Sequence, residues 1–229
     1  MPGDRTPTAS RPALPPEETR IARAVRRLLD ILVAGPVLLF SSPFLLAIML
    51  IIRLDSPGSA IFSQERIGLN ELPFTVHKFR TMYSEADPTP HREYIAQLVG
   101  GATAQRADDG QALFKLAVDD RVTPVGGFLR KTSLDELPQL WNVLRGDMSL
   151  VGPRPVVPYE LEHYSTDQFR RFAVKPGLTG LWQVSGRNEK TYTEMVDLDL
   201  AYVERRSLSL DLSILLKTFP VVIERKGVA

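Results

Sequence analysis

From Leu28 to Ile52 the chain reads "LLDILVAGPVLLFSSPFLLAIMLII" and carries a single charge, Asp30. About 25 such residues make a helix of ~37 Å, against a bilayer hydrocarbon core of ~30 Å. A helix that is apolar all round for this length is rarely the core helix of a soluble domain. It is also too long for a signal-peptide core, and no small-residue cleavage site follows it. The segment therefore predicts a membrane-inserted helix, to which the rest of the fold must be attached.

Two features bear on whether it crosses. Ser41, Ser42 and Pro43 sit near its middle, and Pro36 lies in its first half. Pro43 removes a backbone donor and leaves the Leu39 carbonyl without its helical partner; the serines can bond back to such carbonyls and favour a bend. The flanks are basic on both sides, with Arg20, Arg23, Arg26 and Arg27 before it and Arg53, Arg66, Lys78 and Arg80 after it. Positive charge prefers the cytoplasmic face. A helix–break–helix that enters and leaves by one face suits both observations, with a Pro-kinked span as the alternative.

Three regions are expected. Residues 1–16 are rich in Pro, Thr and Ala and read as a disordered tail. Residues 17–53 form a juxtamembrane and membrane helix, and 54–229 a catalytic domain. The expected fold class is α+β and mostly helical. Short strands are expected at Ile61–Gln64 and Phe74–Phe79, a short helix in "HREYIAQLV", and a helix near Pro124–Arg130. "LPQLWNVLRGD" is amphipathic, with Leu137, Leu140, Trp141 and Leu144 on one face and Gly146 as its terminator. One or two helices follow in "VVPYELEHYSTDQFRRFAVKPG". "TYTEMVDLDLAYVERRS" is helical, and an apolar helix, Leu208–Ile223, bends at Pro220 and can lie in the membrane interface.

Composition excludes several functions. There are no cysteines and only three histidines, so disulfides, thiol chemistry and Cys- or His-rich metal sites drop out. A hard cation held by oxygens stays possible. A formal charge of +1 gives no sign of nucleic-acid binding. No GxGxxG or GxxxxGK[ST] pattern occurs.

The densest chemistry lies in "KTSLDELPQLWNVLRGDMSLVGPRP", where Asp135 and Glu136 adjoin at an expected helix start. A capping box from Ser133 to Glu136, or Asp135 itself as N-cap with Pro138 in the first turn, is the structural explanation. The functional one uses the same place: a helix N-terminus favours a carboxylate and a nearby phosphate, and two close carboxylates call for a cation. A magnesium ion bridging to phosphate oxygens would supply it. Lys78, Arg80, Arg130, Lys131 and Arg154 form a basic set suited to phosphate; Arg154 stands between two prolines in "GPRP". In "KPGLTGLWQVSGRNE", Arg187 and Asn188 are weak candidates for a nucleotide sugar, and Trp182 for base stacking or the bilayer interface. Asp197, Asp199 and Asp211 read as helix surface or caps.

"KFRTM", "FLRKTSLDELPQLWNVLRGDMSLVGPRP" and "KPGLTGLWQVSGRN" resemble the bacterial sugar transferases, the monotopic phosphoglycosyl transferases, from about Arg26 to Lys217. The resemblance implies transfer of a sugar-1-phosphate from a UDP-sugar to undecaprenyl phosphate at the cytoplasmic face of a bacterial inner membrane, starting exopolysaccharide, O-antigen or capsule synthesis. It implies Asp135 as nucleophile through an aspartyl-phosphosugar, and Glu136 as the second acid or a metal ligand. Magnesium is the implied cofactor, held by Asp135 and Glu136. Arg130, Arg154 and, less directly, Lys78 are implied phosphate ligands. Ser42-Pro43 matches the family's re-entrant break, and the chain resembles the minimal catalytic unit, without the extra membrane helices of larger relatives. Two departures stand out: the Pro-rich tail, and "VDDRVTPVG" in place of the usual Asp-Pro-Arg run, which leaves Asp119 and Asp120 without an assigned role. A non-catalytic membrane scaffold and a lipid-phosphate phosphatase are the competing functions. Membrane lipids are expected partners, nucleic acid is not, and a homodimer is an open alternative.

Overall fold

The computed structural model describes residues 18–84, 89, 120–186 and 190–223. The expected tail, the helix in "HREYIAQLV", Asp119, and Arg187 and Asn188 lie outside the described residues. Helix α1, Arg20–Asp55, is followed by strands β1, Ile61–Ile67, and β2, Pro73–Phe79. Helix α2 is Pro124–Thr132; a 3-10 turn at Leu134–Glu136 leads to helix α3, Gln139–Arg145, and strand β3, Ser149–Val151. Two 3-10 segments follow, Pro158–His163 and Thr166–Ala173. Strand β4, Gly177–Thr179, and helices α4, Leu181–Val184, α5, Tyr192–Arg205, and α6, Leu208–Ile223, complete the order. The fold is α+β and mostly helical, as expected.

α1 runs unbroken through Pro36 and Pro43. Helical geometry thus continues across Ser42-Pro43, and a bend within one helix is the form left to the expected break. The reason is local: Ser42 Oγ donates to the Leu39 carbonyl that Pro43 leaves free, at 2.7 Å, and Ser41 Oγ donates to Val37 O at 2.5 Å. The Ser42 hydroxyl replaces the donor lost at Pro43, and back-bonding serines of this kind favour a bend within a continuous helix. One stripe of α1, Ala34, Leu38, Ser41, Leu45, Ile48 and Ile52, turns inward, while Leu39, Phe40, Phe44, Leu46 and Leu50 stay exposed.

Both ends of α1 are bolted to the same body by charges. At the start, Arg26 pairs with Glu18 and with Asp211 of α6 (2.5 Å), and Glu18 also holds Arg206. Arg27 donates to Val143 O and Leu144 O, the last carbonyls of α3. Asp30, the lone charge of the apolar run, is buried and accepts from Leu150 N and Ser149 Oγ of β3. At the far end, Arg80 donates to Ile52 O, Ser56 O and Pro57 O. Between these anchors an apolar cleft of about 500 Å³ opens between α1 and α3, with Leu39, Ser42, Leu46, Trp141 and Leu144 on its walls.

β1 and β2 form an antiparallel hairpin with Ile61 opposite Phe79 and Ile67 opposite Pro73. β1 extends three residues past its expected end at Gln64. β3 and β4 are a parallel pair that the sequence pattern did not reveal; Gly152 and Gly177 let them touch, since a Cβ on Gly177 would stand 2.1 Å from Gly152 N. The main core joins Ala34, Val76, Leu140, Val143, Met148 and Tyr202. Gly146, at φ 90°, ends α3 as expected. Trp141 departs from its expected face: Leu140 and Val143 are buried, whereas Trp141 is half-exposed on the cleft.

Candidate active site

The chain turns sharply after α2. Ser133 takes the left-handed conformation at φ 56°, and its N–H donates to Arg130 O and Leu129 O. The next three residues, Leu134–Glu136, form the 3-10 turn, and α3 begins only at Gln139. Neither expected cap is realised: Ser133 makes no side-chain cap, and Pro138, not Asp135, stands at the N-cap of α3. Asp135 and Glu136 are thus presented on a short turn between two helices, both half-buried.

That turn lies against β2. Glu136 Oε1 accepts from Lys78 Nζ at 2.8 Å. Arg130, in the last turn of α2, is oriented by Nε donation to Thr81 Oγ1 at 2.9 Å. Arg80, grouped with the phosphate-binding cations on sequence, is instead buried and spent on the C-terminus of α1. Lys131 is exposed. Trp182 is buried against Tyr192, Met195 and Val196, which removes it as a stacking platform or membrane anchor.

One residue that the sequence marked only as a flank stands within electrostatic reach of both Arg154 and Glu136. Arg66 of β1 is buried, and burial, then the positive charge of Arg154, push its guanidinium down to about 10; Glu160 and Glu136 pull the other way. Arg66 therefore feels both Arg154 and Glu136. Its own donors go to Pro155 O (3.1 Å) and Gln64 Oε1 (2.7 Å).

Behind Arg154 lies a buried polar layer. Arg171 and Asp199 pair at 2.6 Å with side chains 1% and 0% exposed. Asp199, expected on the surface of α5, is fully buried, and burial pushes its carboxyl up to about 6 against the pull of Arg171. Arg171 also donates to Tyr164 OH, which accepts from Tyr192 OH. A signal for Asp199 was present: it falls in register with Tyr192, Met195, Val196 and Val203, on the buried face of α5. Asp211 was likewise expected at a surface or cap, but it is buried against Arg26 and Tyr202. Asp197 is exposed, as expected.

Among the described residues no group of three or more Asp, Glu or His side chains converges as a metal site. The donor set at the turn is the two adjacent carboxylates, which is the protein share magnesium commonly takes when phosphate oxygens complete its shell.

A family model described as "Bacterial sugar transferase" matches residues 21–225. The exopolysaccharide production protein ExoY of Rhizobium meliloti is 42% identical over 226 residues, covering 97% of each chain. The undecaprenyl-phosphate galactose phosphotransferase of Salmonella typhimurium is 43% identical over 208 residues; the match takes in 91% of this chain and 42% of that protein. The UDP-glucose:undecaprenyl-phosphate glucose-1-phosphate transferase of Caulobacter vibrioides is 42% identical over 85% of this chain and 68% of its own. The chain belongs to the bacterial sugar transferase family.

Proposed function

We propose that this protein transfers a sugar-1-phosphate from a UDP-sugar to undecaprenyl phosphate, on the cytoplasmic face of the bacterial inner membrane, as a first step in building an exopolysaccharide or related glycan. The observation that carries the reading is the Asp135-Glu136 turn, set against Lys78 and beside a helix with an apolar outer face. One substrate is a soluble anion and the other a lipid with an anionic head, so the reaction needs carboxylates, cations and lipid contact in one place. Relatives named for undecaprenyl-phosphate sugar transfer support the substrates.

In the proposed chemistry an Asp135 carboxylate oxygen attacks the β-phosphorus of the donor. The bond from that phosphorus to the bridging oxygen breaks, and UMP leaves with the electron pair. The resulting aspartyl-phosphosugar is attacked by a phosphate oxygen of undecaprenyl phosphate; the Asp135 oxygen–phosphorus bond breaks and the carboxylate is regenerated. Glu136, oriented by Lys78, takes any proton from the incoming phosphate. Arg130 and Arg154 hold phosphate oxygens. Magnesium, held by Asp135 and Glu136 with phosphate oxygens, would neutralise charge on the diphosphate.

We further propose that α1 is re-entrant. Support comes from its anchors: both ends are tied to one body by Arg26, Arg27, Asp30 and Arg80. A helix crossing the bilayer would part those ends to opposite faces. The test supplies purified protein with UDP-sugars, undecaprenyl phosphate and magnesium and follows UMP. Release that disappears in Asp135→Asn is expected. Inorganic phosphate from lipid phosphate, without any nucleotide sugar, would instead make the protein a phosphatase.

A further inference from the structure

The GPRP turn has its main chain clamped by buried charges from three distant segments. Asp199 Oδ2 accepts from Arg154 N at 3.4 Å, and Arg171 donates to Arg154 O at 3.3 Å. Arg66 donates to Pro155 O at 3.1 Å. The flanking groups are tied by backbone: Gly152 N to Thr179 O, Gly177 N to Pro153 O, and Ile67 N to Val156 O, each at 2.9 Å. Two prolines already narrow this turn, so the clamp leaves Arg154 little backbone freedom.

A fully buried ion pair is a poor way to gain stability, because desolvation offsets its attraction and apolar replacements often do as well. Here both partners of the pair also spend an atom on one residue, Arg154. We propose that Asp199 and Arg171 are positioning residues: the pair fixes the main chain of Arg154 so that its guanidinium meets substrate phosphate without reordering at each turnover. Positioning of this kind reduces the entropy lost on reaching the reactive complex. The inference rests on the proposed phosphate role of Arg154, and neither residue of the pair is assigned contact with substrate.

The test uses Asp199→Asn and, because that variant strands a buried Arg171, the double replacement Asp199→Leu with Arg171→Met. Each is made in the wild-type and in an Arg154→Ala background. UMP release gives kcat/KM, and amide hydrogen exchange is read on peptides covering 152–157. The expected result is a tenfold or greater loss of kcat/KM in the wild-type background and less than twofold in the Arg154→Ala background, with faster exchange at 152–157. Equal losses in both backgrounds, or unchanged exchange at 152–157 in a folded variant, would overturn the proposal. If the wild-type protein released no UMP with any donor, the transferase reading would fail by itself. Exchange at 152–157 would still decide the clamp.

Discussion

Lys78 and Arg80 stand two residues apart in "KFRTM", and the structure assigns them opposite duties. Arg80 is 6% exposed and donates to Ile52 O, Ser56 O, Ser56 Oγ, Pro57 O and Ser84 Oγ. Arg80→Met leaves the buried Ser56 carbonyl without this donor, while Ile52 O keeps Ser56 N and Pro57 O keeps Ser84 Oγ. At 1–3 kcal/mol for one unsatisfied buried group, the loss should be about 2 kcal/mol of stability. Lys78 and Glu136 are 29% and 41% exposed in their side chains. A pair this wet contributes no more than ~1 kcal/mol to stability. In the proposed mechanism its value lies in orienting Glu136, and misplacing a general base costs ~100-fold in rate at the low end. The two substitutions should therefore separate cleanly in detergent-solubilised protein. Lys78→Met should keep its urea midpoint and lose most UMP release per folded molecule. Arg80→Met should lose its midpoint and, where folded, retain rate within a few-fold. The reverse pattern, with a stable but inactive Arg80→Met or an active Lys78→Met, would refute this division of labour.

Two further outcomes follow from the packing. Burial raises the Asp199 carboxyl from 3.8 to about 6, so the native state binds its proton more tightly than the unfolded chain does. The stability it contributes is fully present below the unfolded value and is lost as pH rises through 6. Urea unfolding between pH 4 and 7 should show that decline in the wild type, and Asp199→Asn should flatten it. Gly177→Ala would drive a Cβ to 2.1 Å from Gly152 N, so β3 and β4 must separate. A loss of ~1–3 kcal/mol in the same assay is expected, whereas no loss would mean that the strands do not meet at this pair.

Features legible in the sequence were those set by local pattern. The apolar run, the hairpin about Asn70 and the termination of α3 at Gly146 each depend on residues within a turn or two of one another. The hidden features depend on partners far along the chain. Nothing local distinguishes Arg80 from Lys78, because Arg80 is committed to carbonyls of α1 25 or so residues earlier (~one helix away in the fold). Asp199 and Asp211 read as surface acids because burial of a charge requires a cation supplied from elsewhere, here Arg171 and Arg26. The Asp135-Glu136 pair was recognisable, but its setting was not: a left-handed Ser133 converts an expected helix cap into a 3-10 turn. The three-residue strands β3 and β4 are too short to carry an alternation, and their contact depends on paired glycines.

The central claim is that Asp135 becomes covalently joined to phosphorus during turnover. Its most direct test is mass spectrometry of protein mixed with a UDP-sugar and magnesium, quenched before undecaprenyl phosphate is added. A phosphosugar mass on the peptide containing Asp135, absent in Asp135→Asn and discharged when undecaprenyl phosphate is supplied, is the predicted result. Lipid-linked product accumulating from an efficient donor, with no such adduct at any time point, would contradict it.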